Sequence, residues 1–209
     1  MAADTVVPLR DGDLDAAAGA LSEAFQDDPL QTYVFPDPLE RAERSPAHFA
    51  PLLRYGLQFG HVLTTAGRPQ GAAVWLGPTA WNITPERAAA TGWDGLPSIM
   101  GAAAAGRFFS ALAAIEPYHH RDVPAGHWYL FVVGVSPDAQ GRGLGRALLQ
   151  PGLDRADAAG QPCYLETAQP KNVPFYQHLG FRQVVEVREP VSGLQLWTFR
   201  RDPLKSTTV

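Results

Sequence analysis

Residues Val135 to Leu149 read VSPDAQGRGLGRALL and set Gln140, Gly143 and Gly145 in a Gln-x-x-Gly-x-Gly array. An apolar run of β character, Trp128 to Val135, precedes the array, and an amphipathic helical pattern follows it. Strand, glycine turn and helix start, in that order, commit this part of the chain to an α/β arrangement. They also make an anion site. Glycine lets main chain approach a phosphate closely. The first N–H groups of a helix lack intrahelical partners, and the helix dipole favours negative charge there. Arg142 and Arg146 add positive charge on either side. The N–H groups of Gly141, Arg142, Gly143, Leu144, Gly145 and Arg146 are therefore expected to cradle a pyrophosphate. The Rossmann fingerprint Gly-x-Gly-x-x-Gly is absent, because Gly141, Gly143 and Gly145 give Gly-x-Gly-x-Gly. No Gly-x-x-x-x-Gly-Lys-Ser/Thr loop occurs either.

Other segments supply the remaining elements. Thr5–Arg10 reads as a strand, and Asp13 stands where it can cap a helix bearing Leu14, Ala17, Leu21 and Phe25 on one face. Pro29–Pro38 is rich in turn residues. Ser45-Pro46 has the signature of a helix start, with the helix running to about Phe59. His61–Ala66 and Gln70–Leu76 predict a hairpin turning at Gly67-Arg68-Pro69. Thr84-Pro85-Glu86 opens another helix, and Pro97–His119 carries one or two more. Pro162–Ala168 is a strand, Asn172 can cap a short helix closed by Gly180, and Arg182–Glu189 and Leu194–Arg200 are the last strands. Pro203–Val209 reads as a loose tail.

Composition narrows the function classes. The chain has 209 residues, enough for one domain with a sizeable core. A net charge of −4 and a pI of about 5.8 make no electrostatic case for a nucleic-acid partner. Cys163 is the one cysteine, which excludes an intrachain disulfide and suits a reducing, cytoplasmic setting. MAADTVVPLRDGD has no basic region followed by an apolar core, so no signal peptide is expected. The most apolar stretch, Pro97–Ile115, is interrupted by Gly101, Gly106 and Arg107, so no membrane partner is expected. No Cys-x-x-Cys, His-Glu-x-x-His or acidic calcium loop occurs, so no metal is expected.

Val135, Pro137, Gln140, Gly143 and Gly145 together resemble the acyl-CoA signature Val-x-Pro-x-x-Gln/Arg-x-x-Gly-x-Gly/Ala of the GNAT superfamily of N-acetyltransferases. A second block agrees. Asn172, Phe175, Tyr176, Gly180 and Phe181 in NVPFYQHLGF resemble the family's Asn…Tyr-x-x-x-Gly-Phe segment. The resemblance spans Trp128 to Phe199. Its wording, including the strand QPCYLETA, is most similar to the puromycin N-acetyltransferase-like group. It implies an α/β fold with a mixed, mostly antiparallel sheet of about seven strands, splayed in the middle and flanked by helices. It implies one domain, 1–209, with 1–125 mainly on the acceptor side and 126–201 on the acetyl-CoA side. The implied reaction is direct transfer of acetyl from acetyl-CoA to a primary amine in a ternary complex. The implied acceptor is a small molecule such as an antibiotic or other natural product, taken by a monomer or homodimer.

Site roles follow from the resemblance and from side-chain chemistry. At the splayed end of Trp128–Val135, Val133 and Val135 would offer N–H groups to the pantetheine chain and the thioester oxygen, with Gly134 easing a bulge. Tyr176 suits a general acid, since a phenol (reference pKa about 10) stays protonated where a thiol (about 8.5) begins to ionise. Two roles fit Glu166: base for the amine through a water, or counter-ion to it. In much of the superfamily the Asn stands farther ahead of the Tyr. Here the gap is four residues, so Asn172 and Gln169 are alternative partners for the CoA amides. Asp28, Tyr33, His119 and His120 are candidate acceptor contacts, and His119, His120 and His127 are weaker candidates than Glu166 for deprotonating the amine. Aromatic residues Tyr33, Phe35, Phe108, Phe109 and Tyr118 favour a bulky cationic acceptor over a peptide. Two other readings stay open: acetylation of a protein N-terminus or lysine, and an acyl-CoA-binding regulatory domain without turnover.

Overall fold

The computed structural model describes residues 5–204. The tail expected beyond Pro203 lies outside the described residues from 205 on. In chain order the elements are β1 (Val6–Pro8), α1 (Leu14–Ala24), α2 (Pro29–Val34), α3 (Pro38–Phe59), β2 (Gly60–Thr65), β3 (Gly71–Leu76), α4 (Pro85–Thr91), α5 (Leu96–Met100) and α6 (Ala102–Asp122). Then follow β4 (Trp128–Val135), α7 (Leu144–Ala158), β5 (Cys163–Thr167), α8 (Asn172–His178), β6 (Arg182–Arg188) and β7 (Gln195–Arg201). The seven strands form one sheet in the order β1-β2-β3-β4-β5-β7-β6. Every neighbouring pair is antiparallel except β4 with β5. The mixed, mostly antiparallel sheet flanked by helices is the expected fold.

Strand β3 shows how the two faces are filled. Every residue from Gly71 to Leu76 is buried. Side chains alternate across a strand. Ala72, Val74 and Leu76 join a core with Leu21 of α1, Leu53 of α3 and Leu96 of α5. Ala73 and Trp75 face the other way, into a core with Leu148 and Leu153 of α7 and Phe199 of β7. Helices α1, α3, α5 and α6 thus cover one face, and α7 and α8 the other. Full burial of a side chain such as Leu53 or Leu148 contributes roughly 1.5–3 kcal/mol, so both layers are strongly held.

Two local readings change. Pro29–Val34 is a short helix, because Asp28 caps it by accepting from the Leu30 N–H at 2.9 Å and Pro29 suits the first helical position. Helix α3 begins at Pro38, not at Pro46. The Asp37 carboxylate accepts from the N–H groups of Leu39 and Glu40, and Pro46 and Pro51 lie inside the helix. The buried face of α3, which carries Phe49, Leu52 and Leu53, offsets the bonds those prolines remove.

Candidate active site

Strands β4 and β5 pair at Trp128 with Cys163 and at Tyr129 with Tyr164, and then separate. The rest of β4 keeps its partner on the other side, β3, as far as Val135 with Gly71. Ser136 donates its N–H to the Gln70 carbonyl at 2.8 Å. Antiparallel pairing alternates its bonds, so Gly134 and Val132 also face β3, and Val133 and Val135 turn their N–H and C=O groups toward the gap. The Val135 carbonyl accepts from Nε2 of Gln140 at 2.9 Å, which ties the glycine loop to the end of the strand. The bulge in β4 falls at Phe131, since Val74 pairs with Val132 and Trp75 with Leu130. Gly134, expected to ease it, sits in regular register. It is glycine because helix α1 crosses there: a Cβ would lie 2.9 Å from Ala24 and Phe25 and 3.0 Å from Leu21.

The loop after β4 delivers the cradle. Pro137–Ala139 forms a 3₁₀ turn, and Gly141 and Gly143 take φ of +75° and +81°, which disfavours any side chain. Gly143 caps α7, and the first intrahelical bond runs from the Ala147 N–H to its carbonyl. The amides of Leu144, Gly145 and Arg146 precede that bond and sit at the positive end of the helix dipole. They border a cavity of about 390 Å³. Val133, Gly134, Val135 and Gln140 line it from the strand side, Lys171 and Asn172 from α8 and its approach. Arg142 lies outside the lining, its guanidinium 3.5 Å from Oε1 of Gln70.

A second cavity, of about 420 Å³, lies on the other side of the gap. Its wall is aromatic, with Phe49, Trp81, Trp93, Phe108 and Phe131, and its carboxylates are Asp28, Glu116 and Glu166. No Lys or Arg is among its described lining residues. Phe25, Asp28, Val133, Asn172 and Tyr176 line both cavities, so the two meet at these residues.

Tyr176 is 4% exposed, and burial, with Asp28 adding to it, pushes its phenol well above the usual tyrosine range. Asp28 is raised by burial to about 6, against the pull of the Leu30 amide. Glu166, on β5, accepts a hydrogen bond from the Tyr129 hydroxyl at 2.7 Å and lies 3.3 Å from Nδ1 of His119. His119 in turn lies 2.7 Å from His127, ring nitrogen to ring nitrogen, and stacks on Trp81. Cys163 is buried with its thiol pushed up to about 12, which removes it as a nucleophile. Among the described residues no group of three or more His, Cys, Asp or Glu side chains is placed to hold a metal ion, and no helix is long and apolar enough to cross a membrane.

The sequence and the fold match known proteins. The model of the Acetyltransferase (GNAT) family matches residues 73–181. The chain belongs to that family. It is an acyltransferase, an N-acetyltransferase that uses acetyl-CoA. An uncharacterized N-acetyltransferase of Schizosaccharomyces pombe is 29% identical over 177 residues, 81% of this chain and 70% of its own length. The N-alpha-acetyltransferase RimI of Mycobacterium tuberculosis is 39% identical over 83 residues, 38% of this chain and 51% of that protein. Among solved structures, a histone acetyltransferase HPA2 and related acetyltransferase from Corynebacterium glutamicum superposes with a TM-score of 0.65 at 26% identity, covering 98% of this chain and 99% of that one.

Within the GNAT frame, the predicted site residues divide. Val133, Gly134, Val135, Gln140, Gly141, Gly143, Leu144, Gly145, Arg146, Asn172 and Tyr176 come together around the first cavity, with Gln169 beside them. Asp28, His119 and Glu166 come together around the second. Tyr33 lines neither; it packs against a cluster with Ala111 and Leu196. Phe35 is in the core, and Tyr118 lies under Arg121. His120 lines neither cavity and pairs with Glu116 at 3.6 Å, because its neighbour His119 occupies the inward position on α6. Asn172 does not cap α8. It is the first helical residue, and its amide lies 3.4 Å from Oγ1 of Thr167. Three residues carry more than the sequence suggested: Tyr129 on Glu166, Phe25 where the cavities meet, and Trp81 under the histidines. Strand alternation marks Tyr129 as one face of β4, but only the fold brings Trp81 across.

Proposed function

We propose that this GNAT enzyme acetylates the primary amine of a small, bulky, largely aromatic molecule, such as an antibiotic or other natural product, as in the puromycin N-acetyltransferase-like group. One observation carries the reading: the phosphate-type cradle and the aromatic, acidic cavity share Phe25, Asp28, Val133, Asn172 and Tyr176. An acyl donor entering from one side and a cationic amine from the other meet at Tyr176. That favours direct attack in a ternary complex over a covalent enzyme intermediate, and Cys163 is inert in any case.

Each residue then has a task. Amides of the Gly141–Arg146 loop bind the pyrophosphate. The Val133 and Val135 N–H groups, turned into the gap, hold the pantetheine and the developing oxyanion. The amine attacks the thioester carbonyl, the C–S bond breaks, and the Tyr176 hydroxyl gives its proton to the sulfur. Asp28 and Glu166 hold the cation, which gives one proton to solvent to free its lone pair, and Glu166 takes the second as the N–C bond forms. The aromatic walls favour a ring-bearing acceptor over a flexible peptide chain. Mixing the enzyme with acetyl-CoA and panels of aromatic amines, aliphatic polyamines and peptides, while following free thiol, tests the reading. Turnover of aromatic amines with none of peptides supports it. Turnover of peptide N-termini alone selects the protein-directed alternative, and tight CoA binding with no turnover selects the regulatory one.

A further inference from the structure

The group behind Glu166 is larger than one carboxylate. His119 and His127 are both buried beneath it and beneath Trp81. Nδ1 of His127 lies 2.6 Å from the Pro124 carbonyl oxygen, Nε2 of His127 lies 2.7 Å from Nε2 of His119, and Nδ1 of His119 lies 3.3 Å from Oε1 of Glu166. We propose that Glu166, His119 and His127 work as one proton-holding chain whose tautomers are set by the Pro124 carbonyl, with Glu166 facing the acceptor amine and His127 a positioning residue. The proposal rests on the reading of Glu166 above.

The tautomers follow from counting protons. A carbonyl oxygen has no proton to give, so Nδ1 of His127 donates to Pro124. Burial drives the His127 imidazole down to about 4, so it holds only that one proton at neutral pH and its Nε2 accepts. His119 must then donate from Nε2. Its Nδ1 is left facing the Glu166 carboxylate, lone pair against negative charge. Three gaps need three protons, and two neutral imidazoles supply two. The other Glu166 oxygen is already served by the Tyr129 hydroxyl, whose own proton is held by burial and by Glu166. The gap between Glu166 and His119 is therefore the place built to receive one more proton.

The chain thus gives the amine's proton a defined place between two groups. As the new N–C bond forms, an N–H bond of the amine breaks and its proton goes to the Glu166 carboxylate, filling the gap with His119. The C–S bond breaks with its electron pair on sulfur, which takes the Tyr176 proton. When products leave, the Tyr176 phenolate regains a proton through water from the chain, and the protons balance. The other ionisable groups around the chain are Tyr164 on β5, Arg200 on β7, and Glu116, His120, Arg121 and Asp122 on α6. Arg200 and His120 oppose a second proton on His127, and so keep it the neutral acceptor.

Histidine ¹⁵N spectra of the full chain test the tautomers without any acceptor. Through a pH titration His127 should stay in the Nδ1–H form. His119 should carry both protons on the acid side and lose the Nδ1 proton first. A His127 in the Nε2–H form, or a His119 that loses the Nε2 proton first, overturns the proposal. His127→Phe removes the acceptor and lets His119 turn its one proton to Glu166. The His119 titration, and the acid limb of kcat/KM with it, should then move down by about one pH unit or more, which is a tenfold change or more in proton affinity. His127→Gln can donate to Pro124 and accept from His119, so it should return both to the wild-type position. A His127→Phe variant that is slower at every pH with the limb unmoved shows a merely structural histidine and contradicts the proposal. Should His127→Phe fail to fold, an acid limb moved in His127→Gln contradicts it equally. Spectra as expected with no amine acetylated would refute the proposed function and leave the chain of tautomers standing.

Discussion

On the side of the first cavity, the groups proposed to hold acetyl-CoA are mainly main-chain groups of one continuous stretch, β4, the glycine loop and the start of α7. On the acceptor side they are side chains gathered from α2, α3, α6, α8, β4, β5 and β7 and the loops between them. The first side needs amides at fixed positions, so it constrains glycine and little else. The second needs shape and charge, which many combinations of residues supply. The first can be kept while acceptors change, and the second can be changed while the donor stays the same. Tyr176 and Asp28 stand where the two systems join, and there burial shifts both groups toward their protonated forms.

Variants that strike the junction should have the largest effect. Tyr176→Phe removes the proton donor and almost no volume. It should lower kcat by about 10²–10⁴ while leaving acetyl-CoA affinity near wild type, as steady-state rates and calorimetry would show. Wild-type kcat would mean that the thiolate leaves unaided. On the donor side alone, Gly143→Leu puts a side chain into the cradle at a φ of +81°. Acetyl-CoA affinity should fall about 100-fold or more, a loss of roughly 3 kcal/mol, in a domain that still folds. Unchanged affinity by calorimetry would remove the loop from the binding site.

On the acceptor side alone, Glu166→Gln should flatten the acid limb of the rate profile and cut kcat by about tenfold or more, with acetyl-CoA affinity kept. A raised acceptor KM with kcat intact would make Glu166 a counter-ion only. The smallest effect is on stability. The Asp28 carboxyl titrates near 6 in the fold against an ordinary 3.8, so the native state holds a proton that the unfolded chain has released between those values. Stability therefore falls as pH rises through that window, and the ionised group is a net cost at neutral pH. Asp28→Asn keeps the cap on α2 and should add on the order of 1–3 kcal/mol near neutral pH, a gain that fades below about pH 4. Denaturation curves at the two pH values measure it, and a raised acceptor KM should accompany the gain.

The same contrast explains what could be read from the sequence. Gln140, Gly143 and Gly145 were legible because the cradle is one contiguous segment whose backbone demands glycine. Tyr176 was legible because it sits in one contiguous segment, NVPFYQHLGF, which is α8 and its closing turn. The turn residues Gly67-Arg68-Pro69 gave the hairpin β2–β3, and a continuous apolar run gave β4. The start of α3 was not legible: Pro46 and Pro51 look like boundaries, and only the packing of Phe49 and Leu53 on the sheet overrules them. Tyr33 stands close to Asp28 in sequence, but α2 turns it toward Ala111 and Leu196. His119 and His120 are adjacent, and a helix points adjacent residues in different directions, so only one meets Glu166. Trp81, from the segment between β3 and α4, reaches the site by a route that no local pattern encodes.

A crystal structure with acetyl-CoA bound tests most directly whether the donor and acceptor systems meet at Tyr176. The account predicts the pyrophosphate on the amides of the Gly141–Arg146 loop and the thioester in the gap between β4 and β5. There the sulfur lies within reach of the Tyr176 hydroxyl and the carbonyl faces the Val133 and Val135 side of β4. A thioester that ends away from Tyr176, or a pyrophosphate held elsewhere, would contradict it.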